Sequence, residues 1–279
     1  MNLKLRRLFD INTMEAKMDK FFIAGPCVIE SEMIVLTIAE KLKRLSEKFN
    51  IEIIFKASFD KANRSSIDSY RGVSIDTGIK ILAKVKETFN MRLTTDIHLP
   101  DQADIVKDTI DIIQIPAFLC RQTDLLIAAA KTKRIVNIKK GQFMAPWDMK
   151  YAIEKVNRSG NNNVWLTERG SSFGYNNLVV DFRGMLIMKE LGVPVIYDAT
   201  HSMQLPGGAK SSLGTPQYAP ILAKAAASIG VDGLFFETHI NPKEALSDAS
   251  NMISLNEFEK AIPEILEHWY ISKEYEAYL

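Results

Sequence analysis

Apolar stretches of strand length recur along the chain from residue 21 onwards. Each stretch is apolar throughout and does not alternate with polar residues, as is typical of strands buried on both faces of a parallel sheet. The pattern predicts eight strands, over Phe21–Ala24, Ile51–Lys56, Arg92–Ile97, Asp111–Pro116, Ile135–Lys139, Val164–Thr167, Val193–Tyr197 and Gly233–Phe236.

The segments between these strands have helical spacing, with apolar residues three or four positions apart. The first follows Ser31, whose side chain can cap a helix that has Ile34, Ile38, Leu42 and Leu45 on one face. Further helices are predicted over Val73–Phe89, Asp101–Thr109, Thr123–Lys133, Asp148–Asn157, Asp181–Leu191, Gln217–Ile229 and Leu255–Tyr275.

Eight strands alternating with eight helices over about 250 residues predict a (β/α)8 barrel, the TIM barrel of the α/β class. Residues 1–20 precede the regular pattern, so we expect one barrel domain over residues 1–279 with a short N-terminal extension. A doubly wound open sheet is the alternative. It usually has fewer strands and a glycine-rich phosphate turn after the first strand, which Gly25-Pro26-Cys27 lacks.

The overall composition is that of an ordinary globular protein, with 47% hydrophobic and 25% charged residues. A net charge of +1 gives no general attraction for nucleic acid or an acidic membrane, so neither is expected as a partner. The apolar runs are far shorter than the roughly 20 residues that span a bilayer. The N-terminus is charged and lacks the apolar core of a secretory signal, so no such signal is expected. Two cysteines, Cys27 and Cys120, make no disulfide framework, and a cytoplasmic location is expected.

In a barrel of this kind, functional residues collect just after the strands, because all those strand ends lie on one face. Chemically capable side chains follow all eight predicted strands. They are Cys27, then Lys56 to Ser66, then Asp96 and His98, then Gln114 to Gln122, then Lys139 to Gln142, then Glu168 to Ser172, then Asp198 and His201, and finally Glu237 to His239 with Asp248.

One subset of these residues is cationic: Lys56, Lys61, Arg64, Lys139, Lys140 and Arg169. A single phosphate does not need so many positive charges, so the set suggests two anionic substrates or one with separated charges. The densest part is FKASFDKANRSS, residues 55–66, in which serine and asparagine donors accompany three cations. A structural salt bridge is an equally good interpretation for Lys140 and for Arg121.

A second subset, Cys27, His201, Glu237 and Asp248, offers a thiolate, an imidazole and two carboxylates. Such donors suit zinc, iron, manganese or cobalt. No short ligand spacing marks the set, and a lone cysteine after a strand is often only a small buried side chain. The metal hypothesis rests on the prediction that all four residues share one barrel face. Cys120 lies among apolar residues and is interpreted as packing.

Two further features stay open between function and structure. His98 is either a site residue or a structural hydrogen-bond donor. The glycine-containing segment over residues 204–214 is either a lid that excludes water during the reaction or an ordinary flexible loop.

Several long motifs resemble one family. They are KASFDKANRSS, TDIH, QIPAFLCRQTDLL, NIKKGQF, TERGSSFGYNNLVVDFRG, DATHSMQ and ALSDAS. Together they are similar to the 3-deoxy-D-manno-octulosonate 8-phosphate synthases, over about Phe21 to Asp248. The related heptulosonate 7-phosphate synthases share the barrel and the chemistry, but they carry a KPRTSP-like loop where this chain has KANRSS.

The resemblance implies a transferase that condenses phosphoenolpyruvate with D-arabinose 5-phosphate and releases inorganic phosphate. The product of that reaction feeds lipopolysaccharide biosynthesis. The resemblance also implies a homotetramer, in which a loop from a neighbouring subunit completes the sugar-phosphate site.

The resemblance also implies roles for individual residues. It places the phosphoenolpyruvate-binding cations at Lys61, Lys139 and Arg169, with Lys56, Ser58 and Gln142 nearby. It places the arabinose 5-phosphate site at Asn63, Arg64 and Ser65, with Asp96 and Pro116-Ala117-Phe118 lining the sugar.

The family divides at the position of Cys27, where metal-dependent members have cysteine and metal-independent members have asparagine. Cys27, His201, Glu237 and Asp248 occupy the family's ligand positions, so the resemblance implies a metal-dependent member. His201 is expected both to bind the metal and to contact the phosphoenolpyruvate phosphate.

Three alternatives remain at this stage. The chain could condense phosphoenolpyruvate with erythrose 4-phosphate, as heptulosonate 7-phosphate synthases do. It could be a barrel that binds a sugar phosphate without turnover. It could also be an aldolase that forms a Schiff base, for which Lys139 is the candidate nucleophile.

Overall fold

The computed structural model describes residues 19–64, 66–206 and 213–275. Its frame is a closed sheet of parallel strands in which each strand pairs with the next and the eighth pairs with the first. The strands are β1 (Phe21–Gly25), β2 (Glu52–Lys56), β3 (Leu93–Asp96), β4 (Ile112–Ile115), β5 (Ile135–Lys139), β6 (Val164–Glu168), β7 (Val195–Asp198) and β8 (Gly233–His239). The predicted (β/α)8 barrel is confirmed.

Among the described residues, eight α-helices alternate with these strands. They are α1 (Glu32–Phe49), α2 (Ile75–Phe89), α3 (Pro100–Val106), α4 (Thr123–Lys131), α5 (Met149–Arg158), α6 (Phe182–Lys189), α7 (Ala219–Ser228) and α8 (Leu255–Tyr275). Short 3-10 helices occupy Ala117–Leu119, Pro146–Asp148, His201–Met203, Pro216–Tyr218 and Pro242–Glu244. Short strands pair Ser171–Ser172 with Leu178–Val179, pair Gln204–Leu205 with Leu213–Gly214, and place Ile253–Ser254 beside β8.

Prolines explain two places where the predicted boundaries were wrong. The seventh strand was predicted from Val193 but begins at Val195, because Pro194 has no N–H for the ladder. The seventh helix was predicted from Gln217, but the chain first makes the 3-10 turn Pro216–Tyr218 and then begins α7 at Ala219. The predicted cap of α1 is confirmed, since Ser31 accepts a hydrogen bond from the backbone N–H of Ile34.

Side chains alternate along each strand between two apolar layers. Phe22, Phe55 and Phe236 belong to the large core between the strands and the helices. Residues of the other parity form a smaller cluster that we place inside the barrel, made of Phe21, Ile23, Ile54, Ile112, Ile196 and Phe235.

The barrel interior changes from apolar to charged towards the carboxyl ends of the strands. The period of two carries β2 from Ile54 to Lys56, and it carries β8 from Phe235 to Glu237. The same step in β7 leads from Ile196 to Asp198. The fold therefore stacks a polar layer on an apolar plug, and this layer forms the floor of the site.

A glycine at the end of β1 allows that strand to pass close to β2. A Cβ atom on Gly25 would lie 2.0 Å from the carbonyl oxygen of Lys56, closer than any side chain tolerates. This close approach brings the turn that carries Cys27 beside the end of β2.

No helix in the described part of the chain is both long enough and apolar enough to cross a membrane. Parts of three expectations lie outside the described residues. They concern the N-terminal extension up to residue 18, the substrate-binding residue Ser65, and residues 207–212 of the predicted lid.

Candidate active site at the carboxyl end of the barrel

A cavity of about 310 Å³ opens at the carboxyl ends of the strands. Fourteen of the residues proposed from the sequence line it: Lys56, Lys61, Asn63, Arg64, Asp96, Pro116, Ala117, Phe118, Lys139, Gln142, Arg169, His201, Glu237 and Asp248. It is also lined by Gln114, which the sequence analysis noted in the fourth strand, by Gln204 of the predicted lid segment, and by residues that the sequence analysis did not select, among them Ser69, Tyr70 and Leu246. Gln114 lies in this lining because it is the residue of β4 that follows the interior Ile112 by two positions.

Cys27, Glu237 and Asp248 form a compact group of possible metal ligands. Their ligand atoms all lie within 4.8 Å of one another. The Cys27 sulfur lies 2.8 Å from the Ser247 hydroxyl and 3.2 Å from Oδ2 of Asp248. These residues come from the turn after β1, the interior of β8 and the loop after β8, so the closing β1–β8 pairing brings them together.

His201 lies at the edge of this group and turns one ring nitrogen towards it. Its Nε2 is 3.6 Å from Oε1 of Glu237. Its Nδ1 is 2.8 Å from Oδ2 of Asp198, a fully buried residue that the sequence analysis noted after the seventh strand but gave no role. The fourth predicted ligand is therefore next to the other three.

The group has the chemistry of a cation site. Oε2 of Glu237 is buried and has no hydrogen-bond partner among the described residues. Burial, followed by the carboxylates of Asp248 and Glu237, raises the pKa of the Cys27 thiol well above its ordinary value. A bound cation reverses that effect, because it stabilises the thiolate directly. The unpaired carboxylate oxygen and the thiol beside two acids thus fit a divalent transition metal.

Two lysines lie near Glu237, Lys56 at the end of β2 and Lys61 in the loop that follows it. Nζ of Lys56 lies 2.9 Å from Oε1 of Glu237 and also donates to the carbonyl oxygen of Cys27. Nζ of Lys61 is 3.7 Å from the same carboxylate oxygen. Burial alone raises the pKa of Glu237, but Lys56, His201 and Lys61 outweigh it and hold that pKa well below its ordinary value. Glu237 is therefore ionised.

Lys139 and Arg169 form a second cationic region of the cavity. Nζ of Lys139 lies 2.7 Å from Oδ2 of Asp198. Burial lowers the pKa of Lys139, against the opposing effect of Asp198. Arg169 donates to the side chain of Gln204 at 2.9 Å, while its buried Nη1 has no partner in the described structure. That nitrogen is a donor available to an anion in the cavity.

Arg64 and Asp96 lie on other parts of the lining. Nη1 of Arg64 is 3.1 Å from Oδ1 of Asp248, and its Nε and Nη2 are buried without a partner among the described residues. Asp96 accepts a hydrogen bond from the hydroxyl of Ser58, and Nε2 of His98 lies 3.2 Å from its other oxygen. Burial alone raises the pKa of Asp96, but His98 and Lys61 hold it well below its ordinary value.

Several open interpretations now have a structural answer. His98 lies beside Asp96 and outside the cavity lining, as a structural partner does. Lys140 is buried, donates to the Ser171 hydroxyl at 2.9 Å and lies 3.4 Å from Glu168, which is a structural arrangement. Cys120 lies in the hydrophobic core.

The sequence of the chain matches one protein family and several relatives of known name. The model of the DAHP synthetase I family matches residues 10–269. The chain is 54% identical to the 2-dehydro-3-deoxyphosphooctonate aldolase of Cyanothece sp. over 245 residues, which cover 88% of this chain and 90% of that protein. The protein of the same name from Desulfatibacillum aliphaticivorans is similar to the same extent. That of Campylobacter jejuni is 53% identical over 264 residues, which cover 90% of this chain and 97% of the relative.

Proposed function

The chain belongs to the DAHP synthetase I family, and from that membership we propose that it has 2-dehydro-3-deoxyphosphooctonate aldolase activity. In this reaction phosphoenolpyruvate, D-arabinose 5-phosphate and water give 3-deoxy-D-manno-octulosonate 8-phosphate and inorganic phosphate. The observation that carries the proposal is the cavity at the barrel's carboxyl end, in which separated cationic regions adjoin the Cys27–Glu237–Asp248 group. The identity of more than half over most of the chain selects this reaction among those of similar barrels.

We assign phosphoenolpyruvate to the region around Lys139 and Arg169. The free Nη1 of Arg169 and the ammonium groups of Lys139 and Lys61 suit a carboxylate and a phosphate, with Gln142 as a neutral group beside them. Lys56 contributes a further positive charge at the bottom of the cavity, where its ammonium group contacts Glu237.

We assign arabinose 5-phosphate to the region around Arg64 and Asp96. The unpartnered Nε and Nη2 of Arg64 suit a phosphate, and Asn63 and Ser65 would join them. The ionised Asp96, which Ser58 supports, can accept hydrogen bonds from sugar hydroxyls. Pro116, Ala117 and Phe118 form the less polar wall along the sugar.

Cys27, His201, Glu237 and Asp248 would together hold a divalent transition metal, either zinc, iron, manganese or cobalt. When bound, such an ion supplies Lewis-acid stabilisation of negative charge on oxygen. The charges on the lining support its presence. Lys56, Lys139 and Arg64 each have a carboxylate partner, so part of the positive charge of the cavity is already balanced before two phosphorylated substrates bind, and a divalent cation would add to it.

The protein's own residues then act mainly by position and charge. Lys139 and Arg169 hold phosphoenolpyruvate so that its C3 faces the sugar aldehyde, and Asp96 orients the sugar. C3 attacks the aldehyde carbon, water adds at C2, and phosphate leaves with cleavage of its C–O bond. Burial works to lower the pKa of Lys61, but Cys27, Glu237 and other acids hold it above its ordinary value. Lys61 thus stays protonated and stabilises developing negative charge.

A homotetramer in the cytoplasm is part of the proposal. Large aromatic side chains are exposed on the loops after β4, β5 and β6, which adjoin the cavity: Phe118, Phe143, Trp147, Phe173 and Tyr175. Soluble monomers rarely expose so many large apolar groups in neighbouring loops, and packing against further copies would cover them. This arrangement would also let a neighbouring subunit reach the sugar region at Phe118.

Phosphorus-31 NMR of a reaction mixture tests the proposed function. We expect the enol phosphate signal to fall while inorganic phosphate rises in equal amount and the sugar phosphate ester signal moves to a new position. Phosphate release without a new ester would indicate a phosphatase. An unchanged spectrum with the metal supplied would indicate a binding protein, and either result would overturn the proposal.

A further inference from the structure

Asp198, the last residue of β7, is completely buried, and donors contact both of its carboxylate oxygens. Oδ1 accepts from the backbone N–H groups of Thr200 at 3.1 Å and His201 at 2.8 Å. Oδ2 lies 2.7 Å from Nζ of Lys139 and 2.8 Å from Nδ1 of His201. One carboxylate therefore joins a proposed metal ligand to a proposed substrate cation.

The short contact between Oδ2 and Nδ1 decides which nitrogen of His201 carries a proton. A carboxylate oxygen only accepts, so a 2.8 Å contact requires a proton on Nδ1. In the alternative, Lys139 donates to an unprotonated Nδ1 over a longer distance of 3.4 Å. Nδ1 and Oδ2 of Asp198, both acceptors, would then lie 2.8 Å apart with no proton between them. With the proton on Nδ1, the neutral ring has its lone pair on Nε2, the nitrogen that faces Glu237.

We propose that Asp198 is a positioning residue that fixes His201 in the Nδ1–H tautomer for metal binding and holds Lys139 beside it for phosphoenolpyruvate. This inference rests on the proposed metal site and substrate assignment. A carboxylate behind a metal-binding histidine commonly sets its tautomer and ring orientation. The contact with Lys139 adds a link between the metal and the substrate region. Nζ of Lys139 also lies 4.0 Å from the ring centroid of Phe235, so this ammonium is held from two sides.

The substitution Asp198→Asn tests the proposal with almost no change of shape. The two backbone N–H groups at Oδ1 would retain the amide oxygen there, which puts the amide NH2 in the place of Oδ2. That NH2 can only donate to His201, so Nδ1 becomes an acceptor and the proton moves to Nε2, where it blocks metal binding. We expect about 10- to 100-fold weaker Co²⁺ binding, and loss of intensity in the thiolate-to-cobalt charge-transfer band.

A matched control is Asp232→Asn, in the residue that directly precedes β8 and contacts the beginning of β7. Asp232 also accepts from a backbone N–H, that of Val195, and also lies near a lysine, Lys189. It does not line the cavity. We expect Asp232→Asn to bind Co²⁺ as the wild type does. With metal saturating, Asp198→Asn should raise the KM for phosphoenolpyruvate more than that for arabinose 5-phosphate.

The wild-type protein provides a test that does not depend on the folding of a variant. Nitrogen-15 NMR of histidine-labelled, metal-free protein at pH 8 should show His201 with a proton on Nδ1 and none on Nε2, the signal being assigned from its absence in His201→Gln. The reverse tautomer would overturn the inference, and so would equal Co²⁺ affinity of Asp198→Asn and the wild type. A wild type that binds no Co²⁺ would instead refute the proposed metal site.

Discussion

Nζ of Lys56 lies 2.9 Å from Oε1 of Glu237, and both side chains are buried at the bottom of the cavity. This pair lies at the boundary between the apolar plug of the barrel and its polar layer. It shows that a lysine at the end of β2 serves first to stabilise a buried carboxylate, and that the carboxylate in turn belongs to the candidate metal group.

Removing this lysine should destabilise the metal-free protein. We expect Lys56→Met to lower the free energy of unfolding by about 3–5 kcal/mol, because it leaves Glu237 buried without its nearest positive charge. Urea unfolding of the chelator-treated protein measures the effect. Lys48→Met is the matched control, because Lys48 forms an exposed pair with Glu259 and its loss should cost about 1 kcal/mol or less. Equal effects of the two substitutions would contradict the role given to Lys56.

Arg64 should discriminate between the two substrates. Because its free guanidinium donors are assigned to the sugar phosphate, we expect Arg64→Ala to raise the KM for arabinose 5-phosphate about tenfold or more. The KM for phosphoenolpyruvate should change far less, and Arg64→Lys should recover only part of the loss. Arg71→Ala in the same loop removes an exposed pair with Asp60 and should leave both values unchanged. Equal rises for both substrates would mean that the loop has one undivided role.

Metal removal should abolish activity, and Cys27 should determine how completely. We expect a strong chelator to inactivate the wild type and added metal to restore it. Cys27→Asn should keep some chelator-resistant activity, because asparagine is polar and can still bond to Ser247, whereas Cys27→Ala should keep little. Cys120→Ala should be as sensitive to chelator as the wild type, since Cys120 lies in the core. Identical behaviour of both Cys27 variants would mean that Cys27 serves only in packing and is not a metal ligand.

The exposed aromatic loops should mediate assembly. Phe173 and Tyr175 expose 71% and 99% of their surface, and we expect the double substitution Phe173→Ser, Tyr175→Ser to shift the protein towards smaller species in sedimentation velocity. Met33→Ser on α1 provides the control, because Met33 is similarly exposed away from these loops. A wild type that sediments as a monomer would refute the tetramer.

The sequence predicted the barrel well because continuous apolar runs and helical spacing are local signals. It also placed Lys56 and Glu237 in the site, each two residues beyond an interior apolar residue. Asp198 carries the same signal after Ile196 and was noted after the seventh strand, yet it received no role, because the nearby His201 matched a ligand pattern and the aspartate matched none.

Pairings across the barrel could not be predicted in this way. Lys56 and Glu237 are separated by 181 residues, and only the closed sheet brings them together. The residue pattern put Lys56 and Lys139 in one cationic subset and did not predict that Lys56 contacts Glu237 whereas Lys139 contacts Asp198. The role of Ser247 beside Cys27 likewise depends on the path of the loop after β8.

The most direct test of the central proposal is phosphate release from phosphoenolpyruvate with each of two sugar phosphates. The metal-loaded protein should release phosphate rapidly with arabinose 5-phosphate and much more slowly with erythrose 4-phosphate at the same concentration. Equal or faster release with erythrose 4-phosphate would contradict the octulosonate assignment, and the absence of release with either sugar would contradict the proposed reaction altogether.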